Sequence, residues 1–540
     1  MKPRLEDLTL RERIAQTGMV APSEITKGAA ECGGWAEYFQ KYPFSGAYVN
    51  FSCRDMDGNT FDHPLKLGEA IRDASVKAKI PLLVTCDEEF GGCDSFPQLH
   101  AISTNLALGA AGSEELAYWR SYYWAKEMLS FGANWVFGPV VDMAKNFFSA
   151  HAMRDLGNDP ELATRLVPSI IKGIHDAGLG DCVKHYPGGG NEYRDSHYSF
   201  MTNNVSKEDW FANEFRIYES AVKAGTNGIM TAHEYVPAFD PSFARGRVPR
   251  PATASKPIID IIRNELNYDG IVITDAVSMK GLAAAFEHED VYIECFNAGN
   301  DIILFCRNDY IDVMEKAVKN GRVSEEQINR SCQRVLDLKE QLGLFDNIPA
   351  PVMPTEEDTK ALEQACYKVA KHALTLVNNV DDMIPFDPKK VKKVAIIKLS
   401  PSEKFERNLH HLVEAFESRG IEVELLLYGG KKDDLARLAE TCDIIVYACY
   451  LAQGDPRGMP FYTRQEDLNT LFNSLSYGAA KTVVVSFGVP SIYYNYFENA
   501  DAFVNAYSMD PGSMKAFADG ILGDFEFTGK SPVALKPEFK

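Results

Sequence analysis

Residues 180–190 read Gly180-Asp181-Cys182-Val183-Lys184-His185-Tyr186-Pro187-Gly188-Gly189-Gly190. An apolar pair runs into a basic pair, a proline and three glycines, the pattern of a strand that ends and releases a loop. The loop continues through Asn191 to Asp195-Ser196-His197. Asp and His two apart cannot share a helix face, but on an extended or looped segment they can point the same way and touch. A carboxylate against one imidazole nitrogen sets the tautomer and holds the other nitrogen ready to give or take a proton. Taken alone, the pair also reads as a solvated loop histidine beside an aspartate, so its weight depends on the rest of the chain.

The same strand pattern recurs on both sides. Apolar runs at Gly46–Phe51, Ile80–Cys86, Trp135–Val141, Gly228–Ala232, Gly270–Thr274 and Asp301–Phe305 predict strands. Helical stretches such as 114–131, 159–177, 206–224 and 256–266 lie between most of them. Strands that are apolar throughout and alternate with helices argue for a parallel sheet covered on both faces. Seven or eight such units in about 340 residues predict an α/β fold of the (β/α)8 TIM-barrel type rather than an open sheet. The residues at the ends of these strands are more telling: Asp87-Glu88-Glu89, Asp142, Lys184-His185, His233-Glu234 and Asp275. In a barrel those strand ends converge on one face, so ionisable residues distant in sequence form one pocket.

Three further stretches complete the organisation. Leu5 to Gly18, with Leu8, Leu10, Ile14 and Met19 near helical spacing, predicts an opening amphipathic helix, and Val323 to Phe345 predicts the helix that closes the barrel. Residues 346–358 carry three prolines and four acidic residues and read as a linker between a barrel domain, 1–345, and a second domain, 359–540. There a helix over 359–378 precedes apolar runs at 394–398, 422–427, 443–449, 481–486 and 502–506. These alternate with helical patterns and predict a smaller αβα sandwich around an open parallel sheet. No Gly-x-Gly-x-x-Gly occurs there to support nucleotide binding.

Composition narrows the class. The chain has 540 residues, 45% hydrophobic and 24% charged, with 56 basic against 76 acidic side chains and a net charge of -20. That balance argues against nucleic acid as a partner. The charged start, Met1 to Arg13, and the lack of 18 consecutive apolar residues predict a cytoplasmic protein with no membrane partner. Eleven cysteines without Cys-x-x-Cys or zinc-type His/Cys spacing predict reduced, mostly buried thiols and no metal site. No cofactor is expected.

The segment Gly270-Ile271-Val272-Ile273-Thr274-Asp275-Ala276-Val277-Ser278-Met279 closely resembles the nucleophile segment of glycoside hydrolase family 3. Other parts resemble the family in the same order: Leu8-Thr9-Leu10 with Gln16, Gly138-Pro139-Val140-Val141-Asp142, Asn158-Asp159-Pro160, Met230-Thr231-Ala232-His233 and Ala298-Gly299-Asn300-Asp301. The closing helix with Arg334 and Lys339, and Gly529-Lys530-Ser531-Pro532-Val533 in the second domain, extend the likeness over nearly the whole chain. Lys184-His185 and Asp195-Ser196-His197 resemble the β-N-acetylhexosaminidase branch. The resemblance implies Asp275 as nucleophile and the His197–Asp195 pair as general acid/base. It implies Lys184, His185, Asp87 and Arg154 as the grip on the sugar hydroxyls. Three departures bear on substrate identity: Tyr186 and Gly189 stand where the family has Phe and a second His, Phe90 and Cys93 alter the acidic turn that usually ends in Arg, and a further sugar-contacting Arg has no clear match.

The expected reaction is removal of a terminal β-linked N-acetylhexosamine through a covalent glycosyl-aspartate. His197, on a glycine-rich loop that can move, would donate to the leaving oxygen and then activate water, with Asp195 orienting the ring and stabilising its cation. An imidazole base would not repel an anionic acceptor as a carboxylate would, so inorganic phosphate could replace water. A β-glucosidase of the same family usually takes its acid from a Glu in the second domain, and the matching region, Gln453-Gly454-Asp455-Pro456-Arg457, has none. A catalytically inactive sugar-binding relative is the non-enzyme alternative. His233 reads as lining the pocket or satisfying a backbone carbonyl. Tyr193 and Tyr198 read as packing within the loop, with stacking on a sugar face as the alternative.

Overall fold

The computed structural model describes residues 2–149, 153–427, 432–452, 461–462, 464–473 and 481–537. They form two compact units, residues 1–100, 121–142 and 167–358 in the first, and residues 101–120, 143–166 and 359–540 in the second. The units are thus discontinuous in sequence, where an uninterrupted 1–345 was expected. Hydrogen bonds explain the two early excursions: the Asn158 N–H donates to Pro532 O at 3.0 Å, and Thr104 Oγ1 donates to Tyr507 O at 2.9 Å.

The first unit carries β1 (Gly18–Val20), β2 (Gly46–Tyr48), β3 (Leu83–Cys86), β4 (Trp135–Val136), β5 (Val183–Tyr186), β6 (Gly228–Thr231), β7 (Ile271–Thr274) and β8 (Ile303–Cys306). One sheet runs β8-β1-β2-β3-β4 and another β7-β6-β5, all parallel. Parallel bridges Trp135↔Gly180 and Ile273↔Ile302 join the two sheets at both ends, so the eight strands close into a ring. Its interior is filled by Met19, Leu83, Trp135, Phe137, Met230, Ile271 and Ile273, with Val335 and Leu338 of the helix Glu325–Gln341 packed against them.

The first strand corrects the expected opening helix. Thr9 caps a helix of only Leu10–Ala15, its backbone N–H bonding the Glu12 carboxylate at 2.8 Å in a capping box. The chain then turns into β1, where a side chain on Gly18 would meet the Tyr310 ring at 2.7 Å. The helix expected over 206–224 is likewise two, Lys207–Ala212 and Glu214–Lys223, broken at Asn213.

Asp301, just before β8, is buried and holds the ring shut. It accepts from Arg263 Nη2 at 2.6 Å, Ser331 Oγ at 2.8 Å, Val272 N at 3.0 Å and Arg334 Nη1 at 3.1 Å. Those donors come from three separate elements, so one carboxylate ties β7 and two outer helices to the start of the last strand.

The second unit has a six-stranded sheet of β9 (Thr375–Asn379), β10 (Lys393–Leu399), β11 (Glu422–Leu426), β12 (Ile444–Cys449), β13 (Lys481–Ser486) and β14 (Ala502–Asn505). The order is β9-β14-β13-β12-β10-β11, and only β9 runs antiparallel to its neighbour. The helix expected over 359–378 spans Glu356–Ala373 instead. Beyond it Leu374-Thr375-Leu376-Val377 are apolar or β-branched and lead into the pairing with β14. Every residue of β12 is buried, as both faces of a helix-covered sheet require.

None of the eleven cysteines is in a disulfide, and nine of them are buried. Among the described residues no helix is long and apolar enough to cross a membrane.

Candidate active site

The strand ends of the first unit bring together most of the ionisable residues singled out in the sequence. Asp275 comes directly after β7. Its N–H donates to Thr231 O of β6 at 3.0 Å, and its Oδ1 accepts from the Ala276 N–H at 2.6 Å. Burial pushes the carboxyl up, but the imidazoles of His185, His233 and His197 and the Ala276 N–H more than offset this and hold it below its ordinary range. Asp275 is therefore a half-buried carboxylate that stays ionised, seated directly after a strand.

The Asp195–His197 pair forms as its spacing suggests. Asp195 Oδ1 accepts from His197 Nδ1 at 2.6 Å and from the His197 N–H at 2.8 Å. Nδ1 is thereby the protonated nitrogen facing the carboxylate, and Nε2 is turned away from it. The histidine side chain is 40% exposed and the aspartate 15%. The loop carrying them is fastened to the turn after Asp275: Gly281 N–H donates to Ser196 O at 2.9 Å and Lys280 N–H to His197 O at 3.3 Å. The tether explains how the His197 imidazole acts on the Asp275 carboxyl. The glycines expected to make the loop pliable, Gly188 to Gly190, are buried, and Gly189 N–H is held by Asp142 at 2.6 Å.

Lys184 and His185, at the end of β5, are buried. Lys184 Nζ meets the Asp87 carboxylate and Glu89 Oε1, the latter at 2.7 Å, while Tyr48 Oη donates to the other Asp87 oxygen at 2.8 Å. His185 Nδ1 and backbone N–H face the two oxygens of Asp142 at 2.7 and 3.1 Å. Asp142 thus orients the His185 ring as Asp195 orients His197. Sequence reasoning placed Asp142 and Glu89 at strand ends without a role, and it missed Tyr48. The signal for both was a position after a strand, β4 for Asp142 and β3 for Glu89; nothing local marks Tyr48.

His233, after β6, donates from Nε2 to Ala276 O at 2.9 Å, one of its two expected uses. Burial pushes its imidazole down, against the opposing pull of Asp275. A neutral ring donating to that carbonyl braces the residue next to Asp275 and leaves Nδ1 buried without a hydrogen-bond partner. Arg154 belongs to the second unit, where its carbonyl accepts from Asn105 Nδ2 at 2.8 Å. The 453–457 segment lies outside the described residues. Among the described residues the only grouping with metal-ligand geometry is His410, His411 and Glu414, on a helix of the second unit.

Residues 46–338 match the family described as "Glycosyl hydrolase family 3 N terminal domain". A beta-N-acetylglucosaminidase/beta-glucosidase from Cellulomonas fimi is 25% identical over 477 residues, 84% of either chain. Two solved structures share the fold. A beta-glucoside phosphorylase bound to 2FGlc has a TM-score of 0.83 at 20% identity, covering 98% of this chain and 95% of its own. A glycoside hydrolase family 3 beta-N-acetylglucosaminidase from Paenibacillus sp. str. FPU-7 has a TM-score of 0.81 at 23% identity, covering 98% and 99%. Two α/β units, with carboxylates and imidazoles gathered on parallel strand ends, define a glycoside hydrolase. The chain belongs to glycosyl hydrolase family 3.

Proposed function

We propose that the chain is a retaining, exo-acting enzyme that removes a terminal β-linked N-acetylhexosamine. The observation that carries this reading is the Asp275 carboxylate, half-buried at a strand end and kept ionised among three imidazoles. A retaining glycosidase needs a carboxylate that attacks the anomeric carbon and a proton donor on the leaving oxygen. Asp275 attacks as the glycosidic bond breaks, while protonated His197 donates from Nε2 to the departing oxygen. Neutral His197 then takes a proton from water, which attacks the same carbon and releases Asp275. Asp195 holds the imidazole in the one tautomer that both steps use. Asp87, Lys184 and His185 grip the ring hydroxyls, and Asp142 keeps His185 turned toward them.

The N-acetyl preference is supported by the name of the Cellulomonas fimi relative and of the Paenibacillus structure. A second reading, a glucoside donor or phosphate as acceptor, is favoured by the phosphorylase among the structural neighbours and by an imidazole that does not repel an anion. Nine buried, unpaired thiols fit work in a reducing, cytoplasmic setting. One assay tests these readings: aryl β-N-acetylglucosaminide against aryl β-glucoside, each with and without phosphate. Faster release from the N-acetylglucosaminide, independent of phosphate, is the expected result. Phosphate-dependent release with formation of a sugar 1-phosphate would replace hydrolysis by phosphorolysis, and no release from either substrate would leave the inactive sugar-binding reading.

A further inference from the structure

Large aromatic side chains gather, exposed, on the loop that carries the acid/base pair. Tyr193 is 48% exposed, Tyr198 59% and Phe200 39%, so the packing role expected for the two tyrosines does not hold. Phe200 has the Arg194 guanidinium over its ring at 5.8 Å, and Arg194 is in turn held by Glu192. Tyr198 is the more open ring. It directly follows His197, with the two ring centroids 6.3 Å apart and their planes tilted by 44°. Its backbone is held by the Tyr198 N–H donating to Asp195 O at 3.1 Å, and the preceding residues by the bonds to Lys280 and Gly281.

The rim continues onto the next barrel segment. Met201–Thr202 pairs in parallel with Glu234–Tyr235, and the Tyr235 ring stands 6.2 Å from that of Phe243, itself 55% exposed. Exposed aromatic groups of this size on a well-tethered segment are what ligand-binding surfaces present.

We propose that Tyr198, on this aromatic rim, is the platform for the leaving group, and that the leaving group is itself a saccharide whose apolar ring face stacks on the tyrosine. The inference rests on His197 being the acid/base of the proposed reaction. An acid that protonates the glycosidic oxygen lies about 3 Å from it, and the first leaving-group ring begins one bond further on. That places the ring within reach of a side chain beside the imidazole, and the Tyr198 ring lies 6.3 Å from that of His197. A flat, rigid tyrosine suits the axial C–H face of a sugar and restricts it at small entropic cost.

The test compares a β-linked disaccharide with the β-fluoride of the same donor sugar, N-acetylglucosamine or glucose, whichever the wild-type chain cleaves. The fluoride has the same donor but no leaving-group ring. Tyr198→Ala should lower kcat/KM on the disaccharide roughly tenfold, chiefly through KM, and on the fluoride less than about twofold. Tyr198→Phe, which keeps the face of the ring, should restore disaccharide cleavage to within about twofold of wild type. Equal losses on disaccharide and fluoride, or no loss on either, would overturn the platform. A wild-type chain that cleaves none of these compounds would instead overturn the function on which it rests, so the two failures are told apart.

Discussion

The roles proposed for Asp275 and His197 differ as their surroundings do. The carboxylate is half-buried and held ionised by imidazoles, whereas the imidazole is 40% exposed and held on one nitrogen by a carboxylate. Replacing Asp275 by Asn removes the attacking charge at nearly constant volume. Steady-state turnover should fall by more than about 10³-fold while the far-ultraviolet spectrum and binding of a donor-sugar inhibitor persist. Appreciable turnover by the pure variant would move the nucleophile elsewhere. Replacing His197 by Ala should lower kcat/KM on the order of 10²–10⁴-fold for poor leaving groups, and much less for activated aryl glycosides that depart without a proton. Equal losses in a Brønsted series would make His197 structural. Both residues were legible in the chain: an aspartate after an apolar run, and an Asp-x-His in a loop. Their partners were less so. Lys184 meets Asp87, 97 residues away, and His185 meets Asp142, 43 residues away, pairings that no local window contains.

The proposed acid/base pair is held near Asp275 by contact between two elements, the dyad loop and the short helix Lys280–Ala283. Gly281 makes that approach feasible. A Cβ there would meet Ser196 O at 2.9 Å, Ser199 O at 3.1 Å and His233 O at 3.4 Å, all backbone atoms that cannot swing aside. Gly281→Ala should therefore lower kcat/KM on poor leaving groups by about tenfold by displacing His197, with little change in the thermal midpoint. A fallen midpoint with unaltered kinetics would show the contact to be packing alone. Length decided which elements could be read. Strands of four or more apolar residues, such as β8 and β12, announce themselves. The three residues of β1 lie in a stretch whose apolar spacing also suits a helix, and only pairing with β2 and β8 makes them a strand. β9 was absorbed into the preceding helix for the same reason: the change of period falls within one turn.

At the scale of the molecule, the barrel encloses an ammonium group. Lys339, on the closing helix, is fully buried, and its Nζ donates to Gln16 Oε1 at 2.6 Å, while Gln16 Nε2 donates to Pro43 O at 2.6 Å. Burial pushes the Lys339 ammonium down to about 7. Unfolded, the group titrates near 10.4, so between the two values the unfolded chain binds a proton that the folded chain does not, and stability from this group rises with pH. The unfolding free energy of the wild type minus that of Lys339→Met should thus grow by about 2 kcal/mol from pH 7 to pH 9, read from urea curves at each pH. Leaving Gln16 Oε1 unpaired in the variant adds a pH-independent loss that cancels in this comparison, and a flat difference would mean that Lys339 keeps its proton throughout. The alternation of apolar runs with helical patterns, and the ionisable residues ending those runs, sufficed to establish an α/β chain of barrel type with ionisable groups at its strand ends. Those features are encoded within windows of ten to twenty residues, where periodicity and burial act. Closure of eight strands, the joining of residues 101–120 and 143–166 to the second unit, the His197 tautomer and the bracing of Ala276 by His233 needed the folded molecule. Each depends on hydrogen bonds between groups that come together only when distant parts of the chain are buried against one another.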